Sequence, residues 1–414
     1  MSVYKKKKSN MIEWFLPFFP VLHQYQFGFL SLGTIGLFII AVKILAENNW
    51  KIMFPKQWNG FLAFFVFILM RDILRIFAGR DGVSVQMNRI IEYVFVALIV
   101  FIISSKEINF DNLYKWFKIA GVIYIAGMLY HAFLIFILHQ TAHWITIIPG
   151  YILRGDTLAE LKRPASFFVE PAGIVLGLIF LLVFSLQKKE YIWAVFASIG
   201  MVISTSSVAV IITAVAWVLT VFLTNLSFEK KVFVVLLFSV LIYLFFHLSI
   251  FADSTTKLMA VLGGGSTVGS RLIGGFEVVS TLSPLELIVG SNYNDIRTYM
   301  AERLALFPAD SIAVLYYDVQ GSVFLNTVAN IFFHYGVIGI LFFYIPLVRL
   351  LRNPQAKILI VCFVILSVGQ SLLLSPSYFM WLCIILILAK SEYEVCRYGI
   401  KVGGLYKAVE REAY

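Results

Sequence analysis

The sequence predicts an all-α fold, a polytopic bundle of transmembrane helices carrying one large outer loop with short amphipathic helices. Three observations predict it. The chain is 60% hydrophobic and only 14% charged, with a mean hydropathy of +0.89, against about 25% charged residues in an ordinary soluble domain. Apolar runs long enough to cross a hydrocarbon core of about 30 Å recur about twelve times along the 414 residues. Aromatic residues make up 16% of the chain, which suits helices facing lipid and rings lodged at both membrane interfaces.

The expected spans are 11–23, 28–46, 58–77, 89–104, 115–138, 168–186, 191–204, 206–224, 232–251, 324–348, 357–373 and 376–390. Pro17 and Pro20 make the first short and kinked, and Ser204 to Ser207 pinches the seventh and eighth into a hairpin. No small-residue cleavage site follows the first span, so it is expected to stay. The chain divides into residues 1–251 with spans one to nine and an outer loop at 140–165, a large outer segment at 252–323, spans ten to twelve at 324–390, and a tail at 391–414. Cys362 and Cys383 fall in spans and Cys396 in the tail, a distribution that implies neither a disulfide nor a thiolate metal site.

The net charge of +10 reports orientation rather than a nucleic-acid partner, because lysine and arginine bias membrane topology. With both termini inside, starting from Lys5 to Lys8, nearly every lysine falls on the inner side; Lys162 and Lys257 are the exceptions. The outer basic residues are otherwise all arginines: Arg71, Arg75, Arg80, Arg89, Arg154, Arg163, Arg271, Arg297 and Arg303. A guanidinium stays charged, forks onto phosphate or carboxylate oxygens and tolerates partial burial, so this face is suited to an anion. The alternative is that these arginines pair with acids such as Asp72, Glu170, Glu277 and Glu302 to hold loops together.

Within the large outer segment, Ile296, Met300 and Leu304 recur at i, i+4, i+8, predicting an amphipathic helix over Asn294–Phe307 that lies on the membrane. Gly269–Leu282 predicts a weaker one. Gly263 to Ser266 is a flexible joint, and without a lysine after Gly269 the stretch from Gly264 to Ser270 is not a nucleotide-binding loop.

The most informative string is Arg163-Pro164-Ala165-Ser166-Phe167-Phe168-Val169-Glu170-Pro171. Pro171 suits the first helical position, which places Glu170 at a helix N-terminus, a buried acid kept charged by the dipole; the plainer reading is a cap paired with Arg163. In the third span Arg71 and Arg75 share a helical face, with Asp72 spaced to pair with Arg75. Arg71 is expected to face the interior or a watery cavity, and Arg75 to snorkel to the interface. His334, within Asn330 to Gly336, has the pKa range for acid–base work, although a lone histidine on such a helix more often bonds a neighbour. His23, His131, His139, His143 and His247 show no metal-ligand spacing.

The Arg163–Pro171 string, the long late outer loop, and Asn330 through Tyr335-Gly336-Val337-Ile338-Gly339 together resemble the Wzy-type polymerases of O-antigen and capsular polysaccharide. Pro284 to Gly290 is similar to a further family element, with Ser291-Asn292 in place of its second glycine. The resemblance implies a metal-independent, cofactor-free glycosyltransferase on the outer face of the bacterial cytoplasmic membrane. It would join oligosaccharide units carried on undecaprenyl diphosphate, with a chain-length regulator as a further partner. It assigns Arg163 and Arg271 to the diphosphates, with Arg297, Arg303 and Arg71 as secondary anion ligands, and Glu170 or His334 to the attacking hydroxyl. The nearest rival is the O-antigen ligase, which passes finished glycan to a lipid A core; a lipid-linked oligosaccharide flippase is a second. A glycosyltransferase with acids in its first outer loop fits poorly, since His23 to Phe27 holds no Asp or Glu.

Overall fold

The computed structural model describes residues 11–27, 30–51, 58–78, 83–148, 161–223, 270–293, 295–308 and 310–398, with isolated positions between 227 and 256. The protein is almost entirely helical. Its first eight α-helices among the described residues are α1 (Met11–Leu22), α2 (Leu32–Glu47), α3 (Asn59–Ala78), α4 (Val83–Ser105), α5 (Phe110–Ala132), α6 (Ile174–Gln187), α7 (Tyr191–Ile203) and α8 (Ser207–Leu223). Among the described residues of the large loop, four short α-helices follow, α9 (Gly275–Ser280), α10 (Pro284–Val289), α11 (Ile296–Arg303) and α12 (Ile312–Gln320). Last come α13 (Thr327–Leu350), α14 (Pro354–Gly369) and α15 (Pro376–Tyr398). A two-residue hairpin, Gln26–Phe27 with Leu30–Ser31, is the sole sheet among the described residues. Most of the ninth expected span, Arg80, Arg154, Lys257, the joint at Gly263 to Ser266, residues 1–10 and residues 399–414 lie outside the described residues.

By length and hydropathy together, two helical stretches among the described residues suffice to cross a membrane, Phe110–Ile137 and Thr327–Leu350. Shorter apolar helices accompany them at Met11–Leu22, Pro171–Gln187, Tyr191–Ile203, Ser207–Leu223, Pro354–Gly369 and Pro376–Ala389. α6 sits at the centre, with Ile174, Val175 and every side chain from Leu178 to Phe184 fully buried, as a helix apolar on all faces requires. It packs on α5, α7 and α8, while α3 packs on α13 and α4 on α15. The pinch at Ser204–Ser206 separates α7 from α8, with Thr205 at a φ of 52°.

The helix ends sort into two faces. On one, the backbone N–H of Asn109 donates to Glu13 at 2.8 Å, Lys106 pairs with Glu47, Lys118 pairs with Glu190, and Lys188 pairs with Asp111. The hydrogen bond from Lys118 holds the Glu190 carboxyl below its ordinary value. On the other face, the ends of α1 and α14 meet the starts of α6, α13 and α15.

The large loop folds around its own core of Val278, Tyr293, Tyr299, Met300, Phe307, Ala313, Val323 and Phe333. Here the amphipathic reading of Asn294–Phe307 needs correction. The helix is Ile296–Arg303, capped by Asp295, and its buried neighbours are Tyr299 and Met300. Ile296 and Met300 face the loop's own core, and Leu304, past the end of the helix, is exposed, so the i, i+4, i+8 stripe stops short at Met300. Aromatic burial against Phe333, 5.0 Å from Tyr299 between ring centroids, outweighs the aliphatic pattern.

α13 is the second correction. Gly336, at φ 64° and ψ −165°, breaks the helix that the pattern predicts as one uninterrupted span. α10 docks into the break. Ser291 donates its N–H to the Phe333 carbonyl at 2.7 Å, and a Cβ on Gly336 would lie 2.3 Å from the Ile288 carbonyl oxygen.

Candidate active site

The Arg163–Pro171 segment is anchored residue by residue. His131 Nδ1, buried on α5, accepts the N–H groups of Ala165 and Ser166 at 3.3 and 3.2 Å. Ser166 takes a φ of 56°, a left-handed conformation that a side chain other than glycine adopts only when its surroundings enforce it. Its hydroxyl donates to the Tyr124 carbonyl at 2.9 Å, in a space left by Gly127, where a Cβ would stand 2.3 Å from that oxygen. Phe168 is buried against Tyr124, ring centroids 5.3 Å apart. Pro171 opens a 3₁₀ turn, Pro171–Gly173, that leads into α6, with Glu170 as its N-cap.

The two charged members of the string stand apart from this anchoring. Arg163 is half-buried and Glu170 is exposed, and no ion pair joins them among the described residues. Glu170 is therefore not the buried acid that its position suggests. The 3₁₀ turn begins beyond it, at Pro171, with α6 following from Ile174, and the cap leaves the carboxylate exposed.

Glu170 lines a cavity of about 350 Å³ at the helix-end face, together with Arg271, His23, Gln24, Gln370, Ser371 and the apolar side chains of Phe168, Leu176, Phe324 and Leu372. Five separate parts of the chain converge there. Asn326, the N-cap of α13, accepts from Ala329 N–H through its Oδ1 and donates from Nδ2 to the Arg271 carbonyl at 2.9 Å. That bond sets the Arg271 backbone, and its guanidinium lies over the Phe324 ring at 5.2 Å. Thr327 ties the far wall, its N–H and hydroxyl both donating to the Gln370 carbonyl at 2.8 and 2.7 Å. A carboxylate and a guanidinium thus face one cavity whose other lining residues, His23 apart, carry no ionisable side chain.

The other sequence candidates lie elsewhere. Arg163 is not among the lining residues. Arg297 is exposed on α11. Arg303 makes a forked pair with Glu286, Nη1 to Oε2 at 2.9 Å and Nη2 to Oε1 at 3.0 Å, and stacks over Tyr299. Glu286 also closes the capping box of α10 with Ser283. Burial pushes the Glu286 carboxyl up, and the bonds from Arg303 and Ser283 outweigh it, leaving it below its ordinary value. Arg71 donates to three successive backbone carbonyls, Val289, Gly290 and Ser291, at 2.8, 2.7 and 3.3 Å, and to Asn292 Oδ1 at 2.9 Å. Arg75 is 1% exposed, a correction to the expected snorkelling. It donates to Asp72 at 2.8 Å and to the Ser291 carbonyl at 3.1 Å. His334 is buried between Phe333 and Tyr335 beside this join.

Sequence reasoning missed the contribution of the first loop. The absence of an acid from His23 to Phe27 argues against one class of glycosyltransferase, yet His23 and Gln24 both line the cavity; a polar pair just past a proline-containing helix was the available signal. Gln370 and Ser371 mark the end of α14 and carried none. No known family model, curated protein or solved structure matches the chain.

Proposed function

We propose that the chain is a membrane glycosyltransferase that polymerises oligosaccharide units carried on undecaprenyl diphosphate. It works on the outer face of the bacterial cytoplasmic membrane, with about twelve spans and both termini inside. The observation that supports this best is the meeting of Glu170 and Arg271, from distant parts of the chain, in one cavity at a single face. In this reading Arg271 neutralises the diphosphate of the donor glycan, where negative charge develops as the sugar departs. Glu170, exposed to the cavity, takes the proton of the acceptor hydroxyl. The hydroxyl oxygen bonds to the anomeric carbon, and the carbon–oxygen bond to the diphosphate breaks with its electron pair leaving on the lipid. A chain-length regulator is a further partner.

One observation favours a transporter, because helices broken within the membrane are common there and α13 is broken at Gly336. The break is filled by the docked Gly290–Ser291 backbone and held by Arg71 and Arg75, which makes it a joint between loop and bundle. Gel electrophoresis of surface polysaccharide, in a strain lacking the protein and in one complemented with it, tests the proposal. Loss of the long ladder with a surviving single-repeat band supports a polymerase. Loss of that band as well points to a ligase or flippase, and an unchanged ladder overturns the reading.

A further inference from the structure

We infer that Gln24 is the positioning residue for Glu170; this deepens the glycosyl-transfer reading and rests on it. Gln24 lies just beyond α1 and lines the cavity beside Glu170. Its Nε2 donates to the Phe167 carbonyl at 3.2 Å and to the Pro20 carbonyl at 3.2 Å, and its Oε1 accepts the Val169 N–H at 2.6 Å. Bonds to a carbonyl and an amide two residues apart are those a neighbouring β-strand makes to an extended chain. The side-chain amide supplies them where no strand is present, and satisfies backbone groups that are costly to leave bare at the edge of an apolar bundle.

Glu170 is thereby fixed from both sides. On its N-terminal side the Val169 amide is held by Gln24. On its C-terminal side Pro171 restricts the preceding residue to extended backbone, and Glu170 indeed has φ −122° and ψ 144°. What remains mobile is the carboxylate about its own side-chain bonds. Chemistry also selects the residue type at position 24. Glutamate accepts from Val169 but cannot donate to Phe167, and it brings a second negative charge beside Glu170. Methionine keeps the length and loses both bonds.

The test uses the full chain purified in detergent, with Gln24→Met and Gln24→Ala compared by hydrogen–deuterium exchange. The same variants, alone and with Glu170→Gln, are scored for glycan elongation in cells at matched membrane levels. Loss of a hydrogen bond of this kind raises exchange in the 165–170 peptide by about tenfold. Elongation falls by about 10- to 100-fold while the thermal midpoint in detergent stays within a few degrees of the unaltered protein, and Glu170→Gln, alone or combined, elongates nothing. A merely structural role lowers the midpoint in step with elongation. Unchanged protection in Gln24→Met overturns the inference, as does raised exchange with normal elongation when Glu170→Gln abolishes it. If the unaltered protein elongates nothing, the functional reading fails separately, and exchange alone then decides whether Gln24 fixes the loop.

Discussion

Gly290 and Gly336 sit backbone to backbone: a Cβ on Gly290 would lie 2.1 Å from the His334 carbonyl oxygen, and one on Gly336 would lie 2.6 Å from the Gly290 nitrogen. Both hold a positive φ, 90° and 64°, so each lacks a side chain for two separate reasons, conformation and space. Gly290→Ala and Gly336→Ala are each expected to cost more than about 3 kcal/mol, since strain alone accounts for about 1–3 kcal/mol. The expected outcome is a lower thermal midpoint in detergent and faster proteolysis within residues 270–323.

The Asp72–Arg75 pair is buried, at 4% and 1% exposure. Removing one partner leaves a charge without its counterion, at a cost of about 3–5 kcal/mol. Asp72→Ala is therefore expected to destabilise more than replacing both residues with apolar ones. Thermal unfolding of the single and double variants checks the order.

The Glu286–Arg303 fork makes the large loop sensitive to acid. Folding holds the Glu286 carboxyl below the value of 4.5 for the unconstrained group. The unfolded chain therefore binds the proton more readily, and the fork's stabilisation is complete above that value and is lost as pH falls through the lower folded one. Glu286→Gln should remove this dependence. Loop proteolysis measured against pH, from neutral to about 3, reads the difference.

At the cavity the expected pattern is reversed, with activity lost and stability kept. Glu170 is exposed and Arg271 half-buried, and surface substitutions usually stay within about 0.5 kcal/mol. Glu170→Gln and Arg271→Ala should abolish long glycans while leaving membrane levels unchanged. Arg271→Lys should restore little, because an ammonium lacks the planar fork. Normal ladders in Arg271→Ala would remove that residue from the site.

Hydropathy made the helices legible, and the cap at Glu170–Pro171 and the Asp72–Arg75 pair followed from local spacing. Contacts between distant segments did not. The elements Pro284–Gly290 and Tyr335–Gly339 are each weak signals in the chain, and the fold makes them one joint whose glycines are explained only by the other's backbone. Arg75 was misjudged because snorkelling depends on whether a partner waits inside, and its partner, the Ser291 carbonyl, is 216 positions away. Arg303 likewise reads as available until Glu286 is placed beside it. Gln24 escaped notice because an amide has no charge to count.

The ion pairs at the lysine-rich face join residues 59, 72 and 77 positions apart. In the proposed topology these lysines set the direction of insertion, yet in the finished fold Lys106, Lys118 and Lys188 are each matched by a carboxylate. In that topology Lys118 emerges before its partner Glu190, whereas Lys106 and Lys188 follow Glu47 and Asp111 along the chain and meet them only as the helices pack. The same ammonium groups would in that topology serve twice, first as charges that bias insertion and then as rivets between helices already in place. A charge reversal at Glu47 or Asp111 would leave the first task intact and spoil the second.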